Sequence, residues 1–191
     1  MTKKEVFFET ALRLIHEKGF KAMTIRSLAE ALACDSANIY NYVSSKPAIL
    51  EHLLFEISGD FHAGIDRILS AELLPEQQVE ELIRLHVMLS SEKPFRVGLL
   101  VNEWRYLKEE RLLAFVKERD SYEQKVSHIF REGIEKGIFR PLDVEVTTQS
   151  VLGSLRWQHD YYLKKQQKNK PTNPLKTLTE LKQLILPGLM Q

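Results

Sequence analysis

The chain has 191 residues, the length of one domain or of a small domain joined to a larger one. Hydrophobic residues make up 43% and charged residues 28% of the sequence, as in folded globular proteins rather than disordered ones. With 27 basic and 26 acidic residues the formal net charge is +1, which excludes a globally basic nucleic-acid coat and an acidic tail protein. A small excess of basic residues within positions 1–50 is compatible with a local anionic partner.

Simple features exclude several further classes. The single cysteine, Cys34, excludes an intrachain disulfide framework and a zinc site with paired cysteines, and we interpret it as a small buried apolar residue. No apolar run approaches the roughly 18–20 residues of a membrane span, and the N-terminus lacks the apolar core of a signal peptide. We therefore expect a cytoplasmic protein without membrane contact.

Helical periodicity interrupted by glycine and proline recurs along the chain, and signals for strands or hairpins are nearly absent. The first predicted helix ends at Gly19, the second begins after the N-cap Thr24, and a short third helix follows. Asp35 or Ser36 caps this third helix. Six longer helices are then predicted, at about 46–70, from about 75, and at about 95–107, 111–136, 144–165 and 175–186. The sequence therefore predicts an all-α protein of about nine helices.

The turn between the second and third predicted helices, residues 32–35, is short, which is typical of a helix-turn-helix arrangement. In the third helix, predicted over about residues 36–43, Ile39 and Val43 are four positions apart and would face the core. The outward face would then carry uncharged side chains: Ser36, Ala37, Asn38, Asn41 and Tyr42. Asparagine can pair with an adenine edge in the major groove, and tyrosine hydroxyls and the Lys46 ammonium suit phosphate oxygens. This pattern predicts a helix that reads double-stranded DNA.

Residues 6–50 carry a recognisable set of positions: Ala11, Gly19-Phe20, Thr24, Ile25, Leu28-Ala29, the turn at 32–35, Ile39-Tyr40-Asn41-Tyr42-Val43 and Ser45-Lys46. This set resembles the DNA-binding domain of TetR-family transcriptional regulators, and the long fourth helix with five further helices also fits that family. The sequence departs from the family pattern at Ala33, where glycine is usual. It also departs at Asp35, where the family often has serine, and at Val43, where the family more often has phenylalanine. The resemblance implies a helix-turn-helix domain at residues 1–47 and a larger domain at residues 48–191.

The same resemblance implies the roles of individual residues toward DNA. Thr24 would contact a phosphate, and Arg26 would approach a phosphate or a guanine edge. Base reading would fall to Ser36, Ala37, Asn38 and Asn41, and backbone contacts to Tyr40, Tyr42 and Lys46. Two alternatives stay open: Arg26 as a solvated surface charge and Tyr40 as a partly buried core residue. Thr24 is a helix cap in either case.

Residues 51–191 contain no catalytic, cofactor-binding or metal-binding motif, and their histidines are scattered over different predicted helices. We therefore expect no enzyme activity, no cofactor and no metal. The resemblance implies instead a homodimer formed through the last two helices, a small-molecule effector of fatty acyl or other lipid-like character, and a mostly apolar pocket.

Apolar stripes on the last two predicted helices suit a self-complementary interface. Its candidates are Val151, Leu155, Tyr162, Leu178, Leu181 and Ile185, with Leu152 and Leu184 on the same stripes. The candidates for the pocket are Phe61, Val87, Leu100, Trp104, Tyr122 and Trp157. For the aromatic residues among them, ordinary core and interface packing is the competing interpretation.

Together these features predict a ligand-responsive transcriptional repressor that binds a pseudo-palindromic operator as a dimer and is released by a small apolar or amphipathic effector. One alternative is a helical cofactor-binding or enzymatic bundle that does not bind DNA. Another is a constitutive DNA-binding protein without an effector. Operator binding excludes the first alternative, and loss of that binding on addition of an effector excludes the second.

Overall fold

The computed structural model describes all residues, 1–191, and its regular elements are helices. The ten α-helices are α1 Lys3–Lys18, α2 Ile25–Ala31, α3 Ser36–Ile39, α4 Lys46–Ser70, α5 Pro75–Glu92, α6 Pro94–Asn102, α7 Glu109–Glu135, α8 Val144–Leu155, α9 Gln158–Gln167 and α10 Pro174–Leu189. A short 3-10 helix, Trp104–Tyr106, joins α6 to α7. The all-α fold class is confirmed. None of the helices combines the length and the apolar composition that crossing a bilayer requires.

Two helices in the C-terminal half of the chain differ from their predicted bounds. The helix predicted over 144–165 is divided into α8 and α9, because the Arg156 N–H donates to the Gly153 carbonyl three residues back and tightens the backbone there. The last helix, predicted to end at about residue 186, continues through Pro187 to Leu189. Proline in a final turn removes only one backbone donor, and the Met190 N–H still bonds to the Leu186 carbonyl at 3.1 Å.

The chain divides into two compact units. Unit 1 contains residues 1–58 and 95–116, and unit 2 contains residues 59–94 and 117–191. The predicted domain boundary after residue 47 stays a prediction, and unit 1 holds residues of α6 and the start of α7 in addition to the N-terminal helices.

The core of unit 1 is built on the apolar face of α1, where residues recur at helical spacing. Thr2 starts this helix with a capping box: its hydroxyl oxygen accepts from the Glu5 N–H at 3.2 Å, and the Glu5 carboxylate accepts from the Thr2 N–H at 2.9 Å. Gly19 ends the helix at φ +79°, in the region that favours glycine. The buried residues around this face include Phe7, Ala11, Ile15, Leu28, Ile39, Ile49 and Leu50.

Unit 2 has its own buried core, with side chains from α4, α5, α7, α8 and α10. Gly133 on α7 lies directly under the ring of Phe139: a Cβ at this position would stand 2.1 Å from the Phe139 Cδ2 atom. The Gly133 carbonyl also accepts the N–H groups of Ile138 and Phe139, and Gly137 makes the turn at φ +68°. The end of α7 is therefore closed by a buried aromatic ring that needs a glycine beneath it.

Candidate DNA interface and effector region

The start of α2 is fixed by a reciprocal cap. The Thr24 hydroxyl oxygen accepts from the Ser27 N–H at 3.0 Å, while the Ser27 hydroxyl oxygen accepts from the Thr24 N–H at 3.0 Å. Thr24 is exposed, and a hydroxyl can donate its own proton while it accepts another. The cap and the predicted phosphate contact are thus chemically compatible in the same side chain.

The turn between α2 and α3 contains a non-glycine residue in the left-handed region: Ala33 has φ +51°. The Cys34 N–H, which follows it, donates to the Ala29 carbonyl at 3.0 Å and holds the turn against α2. Left-handed backbone costs an L-residue roughly 1–2 kcal/mol, which explains physically why glycine suits this position. Cys34 itself is half-buried.

The helix predicted over 36–43 is shorter than expected. After α3 ends at Ile39, the N–H groups of residues 40–42 bond to carbonyls three residues back, so the chain continues as tight turns. Ile39 is fully buried and Val43 half-buried, as the predicted inward face requires. The exposed residues of this segment are Ser36, Ala37, Asn38, Tyr40 and Asn41. They form an uncharged polar surface, which is the surface that we call the reading face.

The two tyrosines of this segment have different environments. Tyr40 is 57% exposed, so its side chain is not the partly buried core residue of the alternative interpretation. Tyr42 is half-buried, and its ring stacks on Phe7 with centroids 4.8 Å apart. Tyr42 therefore supports the packing of α1 as well as lying next to the reading face.

Lys46, at the first position of α4, is held by neighbours in unit 1. Its ammonium donates to the Lys21 carbonyl at 3.0 Å and lies 4.6 Å from the centre of the Phe20 ring, and burial lowers its pKa. The Phe20 ring stacks on Tyr106 at 5.9 Å, and the Lys21 ammonium lies 5.1 Å from the Tyr106 ring. Sequence reasoning missed both Lys21 and Tyr106. The position of Lys21 directly after the Gly19-Phe20 pair could have indicated its role, whereas no sequence feature marks Tyr106.

Arg26 lies on α2 with its side chain 87% exposed, and it pairs with Glu30 one turn later at 3.0 Å. An exposed pair of this kind contributes little stability, so exchanging the carboxylate for a phosphate costs little. Both interpretations of Arg26, surface charge and phosphate ligand, remain compatible with its position.

Arg96 on α6 is a residue that sequence reasoning did not single out. Its guanidinium, 14% exposed, bonds to the carboxylates of Glu9 on α1 and Glu56 on α4. A planar guanidinium can hold two carboxylates at once, which a lysine cannot do with the same geometry. Within unit 1, Arg96 thus fixes α1 against α4 and α6.

The residues predicted to line an effector pocket fall in different places. Phe61 and Val87 are buried in unit 2, and Phe61 meets Tyr122 edge to face with centroids 6.0 Å apart. The other three residues are Leu100 and Trp104, which pack in the core of unit 1, and Trp157, which is 46% exposed in unit 2. The prediction for these six residues stays a prediction, and Phe61 and Tyr122 are the aromatic pair among them in ring contact.

A polar group accompanies this aromatic pair. His86 on α5 bonds through Nε2 to the Tyr122 hydroxyl at 2.9 Å, and its ring lies 4.9 Å from that of Phe61. Burial, with a smaller contribution from the positive charge of Arg156, lowers the pKa of His86 to about 3, and burial raises the pKa of Tyr122. Both rings are therefore neutral near physiological pH. In the sequence His86 is one of several histidines scattered over different predicted helices, and no motif marks it.

The side chains predicted for the dimer interface are buried within the single chain. All six, Val151, Leu155, Tyr162, Leu178, Leu181 and Ile185, lie in the interior of unit 2. Side chains already removed from solvent in one chain cannot supply the surface of a contact between two chains. The apolar residues that α8 and α10 do expose are Val146, Leu175 and Leu184. The structure thus places the six predicted side chains in the interior of unit 2, and the location of the interface stays a prediction.

A capped helix, a tight turn and a second helix with an exposed polar face define a helix-turn-helix DNA-binding protein. Residues 7–53 match the family model "Bacterial regulatory proteins, tetR family", and residues 72–165 match "Tetracyclin repressor-like, C-terminal domain". The chain belongs to the TetR family of transcriptional regulators, which confirms the resemblance stated above. It is a DNA-binding regulator and not an enzyme.

Known relatives agree with this assignment over most of the chain. The repressor KstR2 of Mycobacterium tuberculosis H37Rv is 22% identical over 162 residues, which cover 82% of this chain and 81% of the relative. The structure of the ketosteroid transcriptional regulator KstR2 of Mycobacterium tuberculosis has a TM-score of 0.91 at 19% identity, with 100% and 96% coverage. PfmR from Thermus thermophilus has a TM-score of 0.84 at 25% identity, with 97% and 99% coverage. AibR in complex with isovaleryl coenzyme A and operator DNA has a TM-score of 0.84 at 18% identity, with 97% and 99% coverage.

Proposed function

We propose that the protein is a homodimeric repressor that binds a pseudo-palindromic operator in the cytoplasm and is released by a small apolar or amphipathic effector. The observation that carries this proposal is the reading face: Asn38, within α3, and Asn41, just after it, are exposed while Ile39 is buried. An asparagine can make two hydrogen bonds to an adenine edge, and the small residues beside it allow close approach to the groove. The name of the relative KstR2, a transcriptional repressor, supports the same sense of regulation.

Phosphate contacts complete the DNA-binding role in this proposal. Thr24 and Arg26 on α2 and Tyr40 within the reading face are exposed, and Lys46 is held by Phe20 and the Lys21 carbonyl. A lysine fixed in this way loses less conformational freedom when it meets a phosphate. Base contacts would set the sequence preference, and phosphate contacts would set the salt dependence.

The dimer follows from the geometry of B-form DNA. Two recognition helices enter successive major grooves when they stand about 34–36 Å apart, and a two-fold dimer presents them with the symmetry of a palindrome. In this proposal the exposed apolar side chains Val146 on α8 and Leu184 on α10 lie in the contact between copies. In this proposal the larger helical part of the chain, residues 48–191, carries both dimerisation and effector binding.

The effector is proposed to bind where apolar side chains meet the His86–Tyr122 pair. The relative AibR was solved with isovaleryl coenzyme A, and KstR2 is described as a ketosteroid regulator. For this chain the buried residues Phe61 and Val87 support an effector with an apolar body, of fatty acyl or other lipid-like character. An effector can release DNA only by binding the DNA-free arrangement better, so operator DNA must weaken effector binding by the same factor, typically about 5–150-fold.

The DNA-binding role is tested by selecting bound sequences from random duplex DNA and measuring affinity for the selected site against salt concentration. Asn38→Ala and Asn41→Ala are expected to weaken binding to the selected site by about 1–3 kcal/mol and to leave binding to random DNA nearly unchanged. Lys46→Ala should weaken both alike and reduce the salt slope by about one. Gln166→Ala, an exposed substitution on α9, is the control. Equal losses on selected and random DNA for the two asparagine variants would refute the reading face.

A further inference from the structure

A polar cluster lies among apolar side chains in unit 2. His86 from α5 and Tyr122 from α7 share a hydrogen bond of 2.9 Å, and Phe61 from α4 packs on both rings. His62 lies beside them, with its ring 5.7 Å from that of Tyr122 and its Nε2 3.1 Å from the Glu118 carbonyl oxygen. Helices α5 and α7 thus supply a hydrogen-bonded pair of neutral rings, and α4 supplies the side chains beside this pair. The DNA-binding role uses none of these residues.

The His86–Tyr122 pair always keeps one unused proton. A neutral imidazole carries one N–H and a tyrosine one O–H, and their mutual hydrogen bond consumes one of these two donors. If Nε2 donates, the tyrosine O–H is left over; if the tyrosine donates, the histidine Nδ1–H is left over. Neither ring has a second hydrogen bond to the protein within residues 1–191. The pair can therefore donate to one further acceptor.

Gln158 adds a second unused polar group. It is the first residue of α9, the helix that packs against α5, and its side chain is 0% exposed. Both its amide nitrogen and its amide oxygen lack a partner in the protein. Burying an amide without hydrogen bonds costs free energy, so both polar atoms of Gln158 can accept a partner from outside the chain, water or ligand. Arg156, two residues before it, lies close enough to His86 for its charge to lower the pKa of that ring.

The cations near this cluster are already paired. Lys125, 3.5 Å from the His62 Nδ1 atom, bonds to the Asp66 carboxylate, and Arg156 lies 3.6 Å from Glu123. A ligand carboxylate would therefore meet no unpaired positive charge and would lose its hydration. A keto or hydroxyl oxygen loses far less on burial and matches the one donor that the ring pair keeps unused.

We propose that His86, Tyr122 and Gln158 form the polar end of the effector site and that they select an uncharged, oxygen-bearing ligand, a ketone or an alcohol, over a carboxylate of the same length. This inference rests on the proposed effector response and specifies its chemistry. Phe61 supplies the apolar contact next to the oxygen, and Gln158 supplies a donor and an acceptor in one group.

The test is calorimetry of the full-length protein near neutral pH with three eight-carbon probes: octan-2-one, octan-1-ol and octanoate. The ketone or the alcohol is expected to bind at least about tenfold more tightly than octanoate. Gln158→Leu and Tyr122→Phe should each weaken ketone binding by about three- to tenfold, the effect of one neutral hydrogen bond. Gln166→Leu, at an exposed position on the same helix, should leave it unchanged. Gln158→Leu should also melt no lower than the wild type, because it removes a buried amide that has no partner.

Three binding results would each overturn the inference: octanoate binding as tightly as the ketone, unchanged ketone binding in both variants, or no binding of any probe. A lower melting temperature for Gln158→Leu would show that the amide bonds within the protein and would equally overturn it. Operator binding is measured separately for the same proteins. If the wild type fails to bind DNA, the proposed function falls, whereas the comparison between ketone and carboxylate is read from calorimetry without DNA.

Discussion

The packing of Phe139 over Gly133 leads to a prediction with an unusual sign. Replacing a helical glycine by alanine normally stabilises a helix by up to about 1 kcal/mol, because alanine restricts the unfolded chain and favours the helix. At Gly133 the added Cβ would lie 2.1 Å from Cδ2 and 2.3 Å from Cε2 of the Phe139 ring. Carbon atoms in ordinary contact are about 3.5–4.0 Å apart, so the ring would have to move by roughly 1.5 Å.

The surroundings of Phe139 restrict that movement. The ring is buried, the residue forms an isolated β-bridge with Met190, and its N–H donates to the Gly133 carbonyl at 3.0 Å. Overpacking of a tight core costs about 1–3 kcal/mol, which exceeds the gain from helix propensity. Gly133→Ala is therefore expected to destabilise the protein by about 1–2 kcal/mol and to lower its melting temperature by about 2–8 °C.

The assay is thermal and urea unfolding at one fixed protein concentration, with Gly59→Ala as the matched control. Gly59 is also helical, and no atom lies within 4 Å of the Cβ that alanine would add. The control should gain up to about 1 kcal/mol, so the two variants should shift in opposite directions. Adding Phe139→Leu to Gly133→Ala should recover part of the loss in a double-mutant cycle. A gain for Gly133→Ala equal to that of Gly59→Ala would refute the reasoning.

Three further predictions concern the turn, the dimer and pH. Ala33→Gly should stabilise the protein by up to about 1 kcal/mol in urea unfolding and leave operator affinity unchanged, because it relieves a left-handed backbone; a destabilised variant contradicts this. Leu184→Glu, at a side chain 72% exposed, should shift the dimer toward monomer in sedimentation without unfolding it, whereas Leu181→Glu, at a buried position, should unfold the chain. An unchanged dimer for Leu184→Glu would exclude this face. Because the pKa of His86 is about 3 in the folded state and about 6.5 when unfolded, the unfolded chain binds more protons between these values. Stability should therefore fall as the pH drops from about 6.5 toward 3, by at most about 1.4 kcal/mol per pH unit, and His86→Gln should flatten this slope; equal slopes contradict it.

Much of the DNA-binding region follows from local sequence signals. Thr24 caps α2 through hydrogen bonds to a residue only three positions away, so its role can be predicted from the local sequence. The four-residue spacing of Ile39 and Val43 likewise predicts that both face inward. The length of the third helix could not be predicted, because residues 40–42 change from helical to tighter bonding without a glycine or proline to mark the end.

The effector and interface residues depend on tertiary packing, which periodicity does not contain. A stripe such as Leu178, Leu181 and Ile185 is apolar whether it faces the core of its own chain or a second copy of the protein. In the structure it is buried in the core of its own chain. Likewise, the bond between His86 and Tyr122 joins residues 36 positions apart, and neither residue carries a local signal for the other.

The two-sided ion pair of Arg96 constrains how this protein can diverge. Glu9 and Glu56 both direct a carboxylate at the same guanidinium, so loss of the arginine alone would leave two like charges facing each other. Loss of one glutamate alone leaves the arginine with a remaining partner, which is the milder change. The order in which these residues are substituted is therefore constrained. We expect a lineage to lose Glu9 or Glu56 before it loses Arg96. In an alignment of descendants these three positions should vary together, with sequences that lack the arginine also lacking at least one of its acidic partners.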